Sequence, residues 1–153
     1  MSSVERVMHA SPETVWEVLS DGWLYPLWVV GATRMRDVDR TWPGEGAQLH
    51  HSVGTWPVVI DDDTTVLESR PRELLRLEAK AWPGGSAHVA LHLEAHPEGT
   101  LVRIEEDVIK GPGKLMPAVL RLPVLTWRNT ETMRRLAYIV ERRPHEQLRR
   151  ARA

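Results

Sequence analysis

The sequence contains no cysteine and no phenylalanine among its 153 residues. Without cysteine, disulfide bonds and thiolate metal sites are excluded. No apolar run approaches the roughly 20 residues that a membrane-spanning helix needs. The first ten residues alternate polar and apolar side chains, which is not typical of a secretory signal. We therefore expect a soluble, cytoplasmic protein.

Excess charge of one sign is also absent, because the formal net charge is −1. A general nucleic-acid-binding protein needs a strong positive field, so we expect no nucleic-acid partner. The chain has neither the glycine-rich loop of nucleotide-binding proteins nor the elbow motif of serine hydrolases. These absences predict no cofactor.

Tryptophan is the abundant aromatic residue, with seven copies against two tyrosines. A buried indole N–H needs a partner, and so many large rings in a small chain favour a cavity or its rim. The alternative is that they replace phenylalanine in the core. Trp28, Trp56 and Trp82 each fall in or beside a turn, where they would rim an opening or plug the ends of a sheet.

The pattern along the chain predicts a strand, two helices, about six strands and one long helix. Ser11 is a good N-cap with Pro12 at the first helical position, and this helix should end at Asp21-Gly22. A brief second helix is predicted within 23–30, and a final helix from near Pro123. The predicted strands are 3–9, 33–38, 47–53, 58–68, 74–81, 87–95 and 101–109.

Strands linked by tight turns predict an antiparallel sheet with its helices gathered on one side, an α+β fold. The length suits one domain, residues 1–153, and the polar, arginine-rich segment 144–153 is expected to fray.

Five segments carry a resemblance that spans nearly the whole chain. They are ASPETVW at 10–16, WLYPLW at 23–28, GEG at 44–46, VLESRPREL at 66–74 and GTLV at 99–102. In order and spacing they resemble polyketide cyclase/dehydrase-like proteins of the START-like (SRPBCC, helix-grip) superfamily. The resemblance implies a curved antiparallel sheet of about seven strands around a long C-terminal helix, with two short helices after the first strand. It also implies an internal cavity, which in this superfamily holds sterols, lipids, polyketides or other apolar molecules.

Polar residues in register with inward-facing apolar ones are the candidate site residues. His51 shares its face with Leu49, and Glu106 shares its face with Ile104. Thr126 and Asn129 lie with Met133 on the apolar face of the last helix. A carboxylate beside an imidazole suits general acid–base catalysis, so His51 and Glu106 are the candidate catalytic pair. The alternative is a structural network that satisfies buried polar groups.

Other polar clusters are expected to face solvent. In the run Asp61-Asp62-Asp63 only Asp62 shares the inward parity, and a bulge or exposed edge is the favoured interpretation. His88, His92 and His96 recur every four residues, which on a strand spans roughly 13 Å, too far for one ion. We therefore predict no metal site. Arg128 would reach a cavity mouth or, as we favour, pair with a surface carboxylate.

Three functions remain open, and with them the question of whether the protein is an enzyme. The first is binding of a small, mostly apolar, lipid- or polyketide-like ligand in the cavity. The second is a cofactor-free polyketide cyclase or dehydratase, and the third is an interaction module with a filled core and an exposed apolar patch; a homodimer is also compatible with the sequence. The predicted ligand-binding residues are Trp28, His51, Trp56, Asp62, Trp82, Ile104, Glu106, Thr126, Asn129 and Met133.

Overall fold

The computed structural model describes residues 1–55, 57–81 and 84–152, and the side chains of these residues except at 53–55, 58–59, 81 and 144–152. Trp56 and Trp82 thus lie outside the described residues. The strands are β1 Ser2–Met8, β2 Ala32–Val38, β3 Gln48–Thr55, β4 Val58–Arg70, β5 Leu74–Ala81, β6 Gly85–His96 and β7 Gly99–Lys110. The helices are α1 Pro12–Ser20, α2 Tyr25–Trp28, α3 Pro112–Leu115 and α4 Ala118–Arg152, with a 3₁₀ turn at Gly22–Leu24.

All seven strands form one antiparallel sheet in the order β1-β7-β6-β5-β4-β3-β2. From β2 to β7 each strand pairs with the next strand along the chain, and β1 pairs with β7 at the edge of the sheet. Helix α4 packs against β1, α1 and α2. The predicted α+β helix-grip fold is confirmed, with the two short helical segments following β1.

Helix α1 begins where its cap predicts. The backbone amide of Thr14 donates to Ser11 Oγ at 3.2 Å, and Pro12 occupies the first helical position, where its missing N–H costs nothing. Val15, Val18 and Leu19 are buried at spacings of three and four, so α1 presents an apolar face to the core. The helix ends at Ser20, next to the predicted Asp21-Gly22 stop.

Helix α4 begins five residues before the position expected from Pro123. The Pro117 carbonyl oxygen accepts hydrogen bonds from the amides of Leu120 and Arg121, both at 3.0 Å, and these bonds start the first turn. Pro123 therefore lies inside the helix and removes one backbone donor without ending it. At the other end the sequence predicts fraying after residue 143, and the helix continues to Arg152.

The core lies between the inner face of the sheet and the helices α1 and α4. Strand β7 shows how the sequence builds this face, because Thr100, Val102, Ile104 and Glu106 are buried at every second position. Within the described part of the chain no helix has the length and apolarity required to cross a membrane. The largest fully buried side chains are those of Met8, Val15, Val18, Leu19, Leu49, Val66, Leu75, Leu91, Val102, Met133, Leu136 and Val140.

Candidate ligand cavity

A cavity of about 130 Å³ lies between the inner face of the sheet and the helices α2 and α4. Its walls come from α2 and the segment after it, from strands β2, β3, β5, β6 and β7, and from one face of α4. Most of the lining is apolar. The lining residues are Tyr25, Trp28, Val29, Val30, Gly31, Ala32, His51, Leu77, Ala79, Lys80, Ala87, Val89, Leu91, Ile104, Glu106, Arg128, Asn129 and Thr132.

Small side chains on the sheet leave this space open. Ala79 of β5 and Ala87 of β6 are direct cross-strand partners, and both line the cavity. Protein interiors otherwise pack as densely as organic crystals, so a larger residue at either position would fill the space. The small side chains of this cross-strand pair thus leave room for part of the cavity.

His51 lies in the cavity wall as a buried residue, with 3% of its surface exposed. Its Nε2 is 2.8 Å from Thr64 Oγ1, and its Nδ1 has no hydrogen-bond partner among the described residues. Burial lowers the pKa of His51 below 6.5, because desolvation penalises the imidazolium form. The ring is therefore neutral at pH 7.

The Tyr25 ring lies beside the rings of both His51 and Trp28 in the cavity wall. Its hydroxyl is 3.4 Å from Thr64 Oγ1, so Tyr25, Thr64 and His51 form one polar chain. Its ring lies edge-on to Trp28, with centroids 5.3 Å apart, and 5.4 Å from the His51 ring. Burial raises the pKa of the Tyr25 phenol above 10.0, which keeps this hydroxyl protonated as a donor.

Glu106 forms an ion pair with Arg128 across the cavity wall. Arg128 Nη2 donates to Glu106 Oε1, which holds the carboxylate on β7 against helix α4. The Glu106 side chain is 3% exposed and the Arg128 side chain 40% exposed. The pair thus joins a buried carboxylate to a cation that reaches the solvent.

Four buried polar atoms of lining residues lack a hydrogen-bond partner within the described residues. They are Trp28 Nε1, His51 Nδ1, Glu106 Oε2 and Asn129 Nδ2. A buried polar group without a partner costs about 1–3 kcal/mol. Their shared location makes the cavity a place where a polar group of a ligand would be stabilised.

The mouth of the cavity is marked by its exposed lining residues. Gly31 and Lys80 are exposed, and Arg128 is partly so. These residues come from the segment after α2, the end of β5 and helix α4, so the opening lies where three elements meet. Arg128 is the charged side chain at this mouth, because Lys80 shares its strand parity with Glu78 on the other face of β5.

The predicted site residues include some that line the cavity, some that lie elsewhere in the described structure and two that lie outside the described residues. Trp28, His51, Ile104, Glu106 and Asn129 line the cavity together. Met133 is buried in the adjoining core, and Thr126 is exposed with its hydroxyl 3.3 Å from Ser2 Oγ. Asp62 is half-buried opposite His51 and borders a separate surface depression, while Trp56 and Trp82 lie outside the described residues.

His51 and Glu106 do not contact each other directly, and the alternative that both reach one bound ligand stays a prediction. Three strands separate β3 from β7, a distance of about 19 Å across a flat sheet. The curvature of the sheet brings both side chains to the cavity, but His51 Nε2 is hydrogen-bonded to Thr64 Oγ1 and Glu106 Oε1 accepts a hydrogen bond from Arg128. The two residues therefore face one space from separate walls.

Tyr25 was not among the predicted site residues, and Arg128 pairs with a buried carboxylate instead of the predicted surface one. Tyr25 is one of two tyrosines and lies in the aromatic segment 23–28, a signal that was available. Arg128 sits beside Asn129, and its long side chain reaches the apolar face from an adjacent helical position.

The outer face of the sheet carries the other charged clusters. His92 Nε2 is 3.6 Å from Glu105 Oε2, and Arg36 lies 3.5 Å from both Asp61 Oδ1 and Asp63 Oδ1. Within the described ranges, no three or more His, Asp or Glu side chains group closely enough to hold a metal ion.

An exposed apolar patch covers the region from α3 into the first turns of α4. The interaction-module hypothesis predicted such a patch together with a filled core. The open cavity does not match the predicted filled core. The patch consists of Leu115, Met116, Val119, Leu120, Val124 and Trp127.

A curved antiparallel sheet closed by a long C-terminal helix over an internal cavity defines a helix-grip protein of the START-like superfamily. The family model described as "Activator of Hsp90 ATPase homolog 1-like protein" matches residues 9–116. This match covers more than half of the chain, and the chain belongs to that family. The START-like resemblance seen in the sequence is confirmed.

Solved structures with the same fold support this assignment. Protein CV1439 from Chromobacterium violaceum has a TM-score of 0.67 at 19% identity, covering 91% of this chain and 96% of that one. Protein SA2116 of unknown function from Staphylococcus aureus has a TM-score of 0.71 at 10% identity, covering 94% of both chains. The di-domain ARO/CYC StfQ from the steffimycin biosynthetic pathway has a TM-score of 0.70 at 11% identity, covering 94% of this chain and 51% of that one. At these identities the likeness shows the fold, and no curated protein matches the chain.

Proposed function

We propose that this protein binds a small, mostly apolar molecule of lipid- or polyketide-like character in its cavity. The observation that carries the proposal is the coincidence of an apolar space with unpartnered polar atoms on its walls. An apolar wall with a few fixed polar groups is the usual composition of a ligand site.

Two of the similar structures favour this chemistry. StfQ belongs to the steffimycin biosynthetic pathway, and another neighbour, DynU16, belongs to the dynemicin biosynthetic locus, with a TM-score of 0.66. Both resemble this chain at 20% identity or less, so they support the class of ligand and not its identity.

The test is native mass spectrometry of protein purified from its own host, followed by denaturing extraction of any bound molecule. Ala87→Leu places a larger side chain in the cavity, and Ala90→Leu places the same side chain on the opposite face of β6. We expect a discrete small molecule with the wild type and with Ala90→Leu, and its loss from Ala87→Leu. Equal retention by both variants would place the molecule elsewhere and overturn the proposal.

Acid–base catalysis, as in a cofactor-free polyketide cyclase or dehydratase, is the second candidate function, and it is favoured by His51 Nδ1, which has no partner among the described residues. A neutral, buried imidazole with one unpartnered nitrogen is able to accept a proton from the carbon next to a ligand carbonyl. The α-proton would move to Nδ1, leaving an enolate and an imidazolium; the imidazolium N–H then exchanges with solvent, and a solvent-derived proton is delivered back to the same carbon. In this candidate Glu106 and its Arg128 partner supply fixed charge at the opposite wall.

Deuterium exchange tests this step without knowledge of the natural substrate. Cyclohexanone in D₂O is followed by proton NMR with the wild type, His51→Gln and His50→Gln. Faster exchange with the wild type and His50→Gln than with His51→Gln supports catalysis by His51. Equal rates in all three samples would leave ligand binding as the function.

A further inference from the structure

The size of the cavity limits the ligand that it encloses. A cavity of about 150 Å³ lined by aliphatic and aromatic side chains accepts a benzene molecule. The cavity described here has about 130 Å³. The enclosed part of a ligand is therefore one ring, and a fused multi-ring molecule or a long acyl chain exceeds the space.

The unpartnered polar atoms of the cavity wall restrict which polar group the ligand ring can carry. Trp28 Nε1 and Asn129 Nδ2 are donors, so they need an acceptor on the ligand. Glu106 Oε2 is a carboxylate oxygen and needs a donor. His51 Nδ1 accepts or donates according to the tautomer, so it is compatible with either partner.

The net charge of the wall favours a neutral ligand. Arg128 balances Glu106, so the pair presents one remaining carboxylate oxygen beside the cationic guanidinium. A ligand carboxylate would carry no donor for Glu106 Oε2. A ligand ammonium would offer no acceptor to Trp28 or Asn129.

We infer that the cavity selects a neutral, single-ring molecule whose polar group both donates and accepts hydrogen bonds, as a phenolic hydroxyl does. This inference rests on the proposed function and narrows its ligand class. The ring fills the apolar space, and the hydroxyl lies where the unpartnered donors and the Glu106 oxygen line the wall. Substituents on the ring extend through the mouth beside Gly31 and Arg128.

Calorimetric titration with five matched probes tests the ligand class. Phenol donates and accepts, anisole only accepts, toluene does neither, benzoate is anionic and 2-naphthol adds a second ring. We expect phenol to bind at least about tenfold more tightly than each of the others, a difference of ~1.4 kcal/mol. Anisole or benzoate binding as tightly as phenol overturns the polar match, and tighter binding of 2-naphthol overturns the single-ring limit.

A variant at Asn129 tests hydrogen bonding to the ligand separately from apolar contact with its ring. Asn129→Leu keeps the branching and the number of side-chain heavy atoms and removes one unpartnered donor; we expect toluene still to bind and the preference for phenol to fall below about threefold. Retained toluene binding also shows that the variant is folded. The control is Thr130→Val at the exposed neighbouring position, which should keep the tenfold preference. An unchanged preference in Asn129→Leu contradicts the inference.

Failure of this inference is distinguishable from failure of the proposed function. If none of the probes binds while a larger molecule co-purifies and is expelled by Ala87→Leu, the single-ring class is wrong and the binding function stands. If no probe binds and no molecule co-purifies, both are overturned.

Discussion

Two adjacent histidines on β3 occupy opposite faces of the sheet and opposite electrostatic environments. His50 Nδ1 is 2.8 Å from Asp63 Oδ1 and its Nε2 is 3.4 Å from Asp39 Oδ1, and these carboxylates raise the pKa of His50. His51 faces the cavity, where burial lowers its pKa. The alternation of a strand thus gives two neighbouring imidazoles opposite responses to pH.

His51 should make the protein sensitive to mild acid. Above pH 6.5 the imidazole is neutral in both the folded and the unfolded chain, so it adds no pH dependence. Below that pH the unfolded chain binds a proton that the folded chain does not, and stability falls until the pH reaches the lowered pKa. We expect the wild type to lose stability relative to His51→Gln with a slope approaching ~1.4 kcal/mol per pH unit in this window. Urea unfolding between pH 7.5 and pH 5 measures the difference.

His50→Gln is the matched control, and its effect has the opposite sign. The raised pKa of His50 gives the wild type a stability gain that is complete below pH 6.5 and is lost as the pH rises through the raised value. This half-buried pair, with side chains 27% and 35% exposed, should contribute less than about 1 kcal/mol. Parallel pH profiles for the two variants would contradict the assignment of His51 to a buried wall.

Arg128 should contribute to stability through its buried partner. Arg128→Met removes the cation and leaves the Glu106 carboxylate, 3% exposed, without its counterion. Loss of one partner of a fully buried pair costs 3–5 kcal/mol, and the partial exposure of Arg128 reduces this to about 2 kcal/mol. Chemical denaturation measures the loss. The double variant Glu106→Leu with Arg128→Met should recover most of it, and a double variant less stable than Arg128→Met would show that the ion pair is not the cause.

At the scale of elements, period-two patterns predicted which side chains of the sheet face inward. Glu106 follows Val102 and Ile104 on the inner face of β7, and His51 follows Leu49 on β3. These positions follow from strand geometry alone, because successive side chains alternate between faces. The inward-facing polar residues of the sheet were therefore available from the sequence.

The periodicity of α4 was less informative at its N-terminal end. Thr126 shares its spacing with Asn129 and Met133, but it is exposed beside Ser2. Strand β1 is the edge of the sheet, and Ser2 is its first residue, so little of the sheet remains to cover Thr126. A helical stripe shows which residues share a face, but not how far along the helix its partner extends.

Pro123 should weaken α4 from within. It lies in the sixth position of the helix and is exposed, and it has no N–H to donate to the Val119 carbonyl four residues earlier. Pro123→Ala restores this donor and a favourable helical residue, so we expect a gain of about 1 kcal/mol or more in unfolding free energy. Pro117→Ala is the comparison, because Pro117 precedes the helix and should change stability less. A loss of stability in Pro123→Ala would show that restriction of the unfolded chain by proline dominates.

At the scale of the whole molecule, the cavity depends on residues distant in sequence. Ala79 and Ala87 leave space only because β5 and β6 pair them directly. Arg128 meets Glu106 only because α4 crosses the inner face near β7. A sequence pattern gives the face of each residue, but the register between elements decides which side chains share a space. For this reason the fold was predicted more completely than the site.

Ligand binding should stabilise the whole protein, because the cavity exists only in the folded state. At a free ligand concentration of 100 times Kd, the folded state gains about 2.7 kcal/mol. For a chain of this size that gain corresponds to a rise in Tm of about 5–10 °C. Thermal unfolding of protein stripped by denaturing extraction and refolded should show this rise when the extracted molecule, or a saturating phenol, is restored.

Two variants separate cavity binding from non-specific stabilisation in the same experiment. Ala87→Leu occupies the space that the ligand needs, so its Tm should not respond to the added molecule. Ala90→Leu alters the opposite face of the same strand, and its Tm should rise with that of the wild type. If all three proteins rise together, the molecule binds outside the cavity and the small cross-strand pair of Ala79 and Ala87 has no role in recognition.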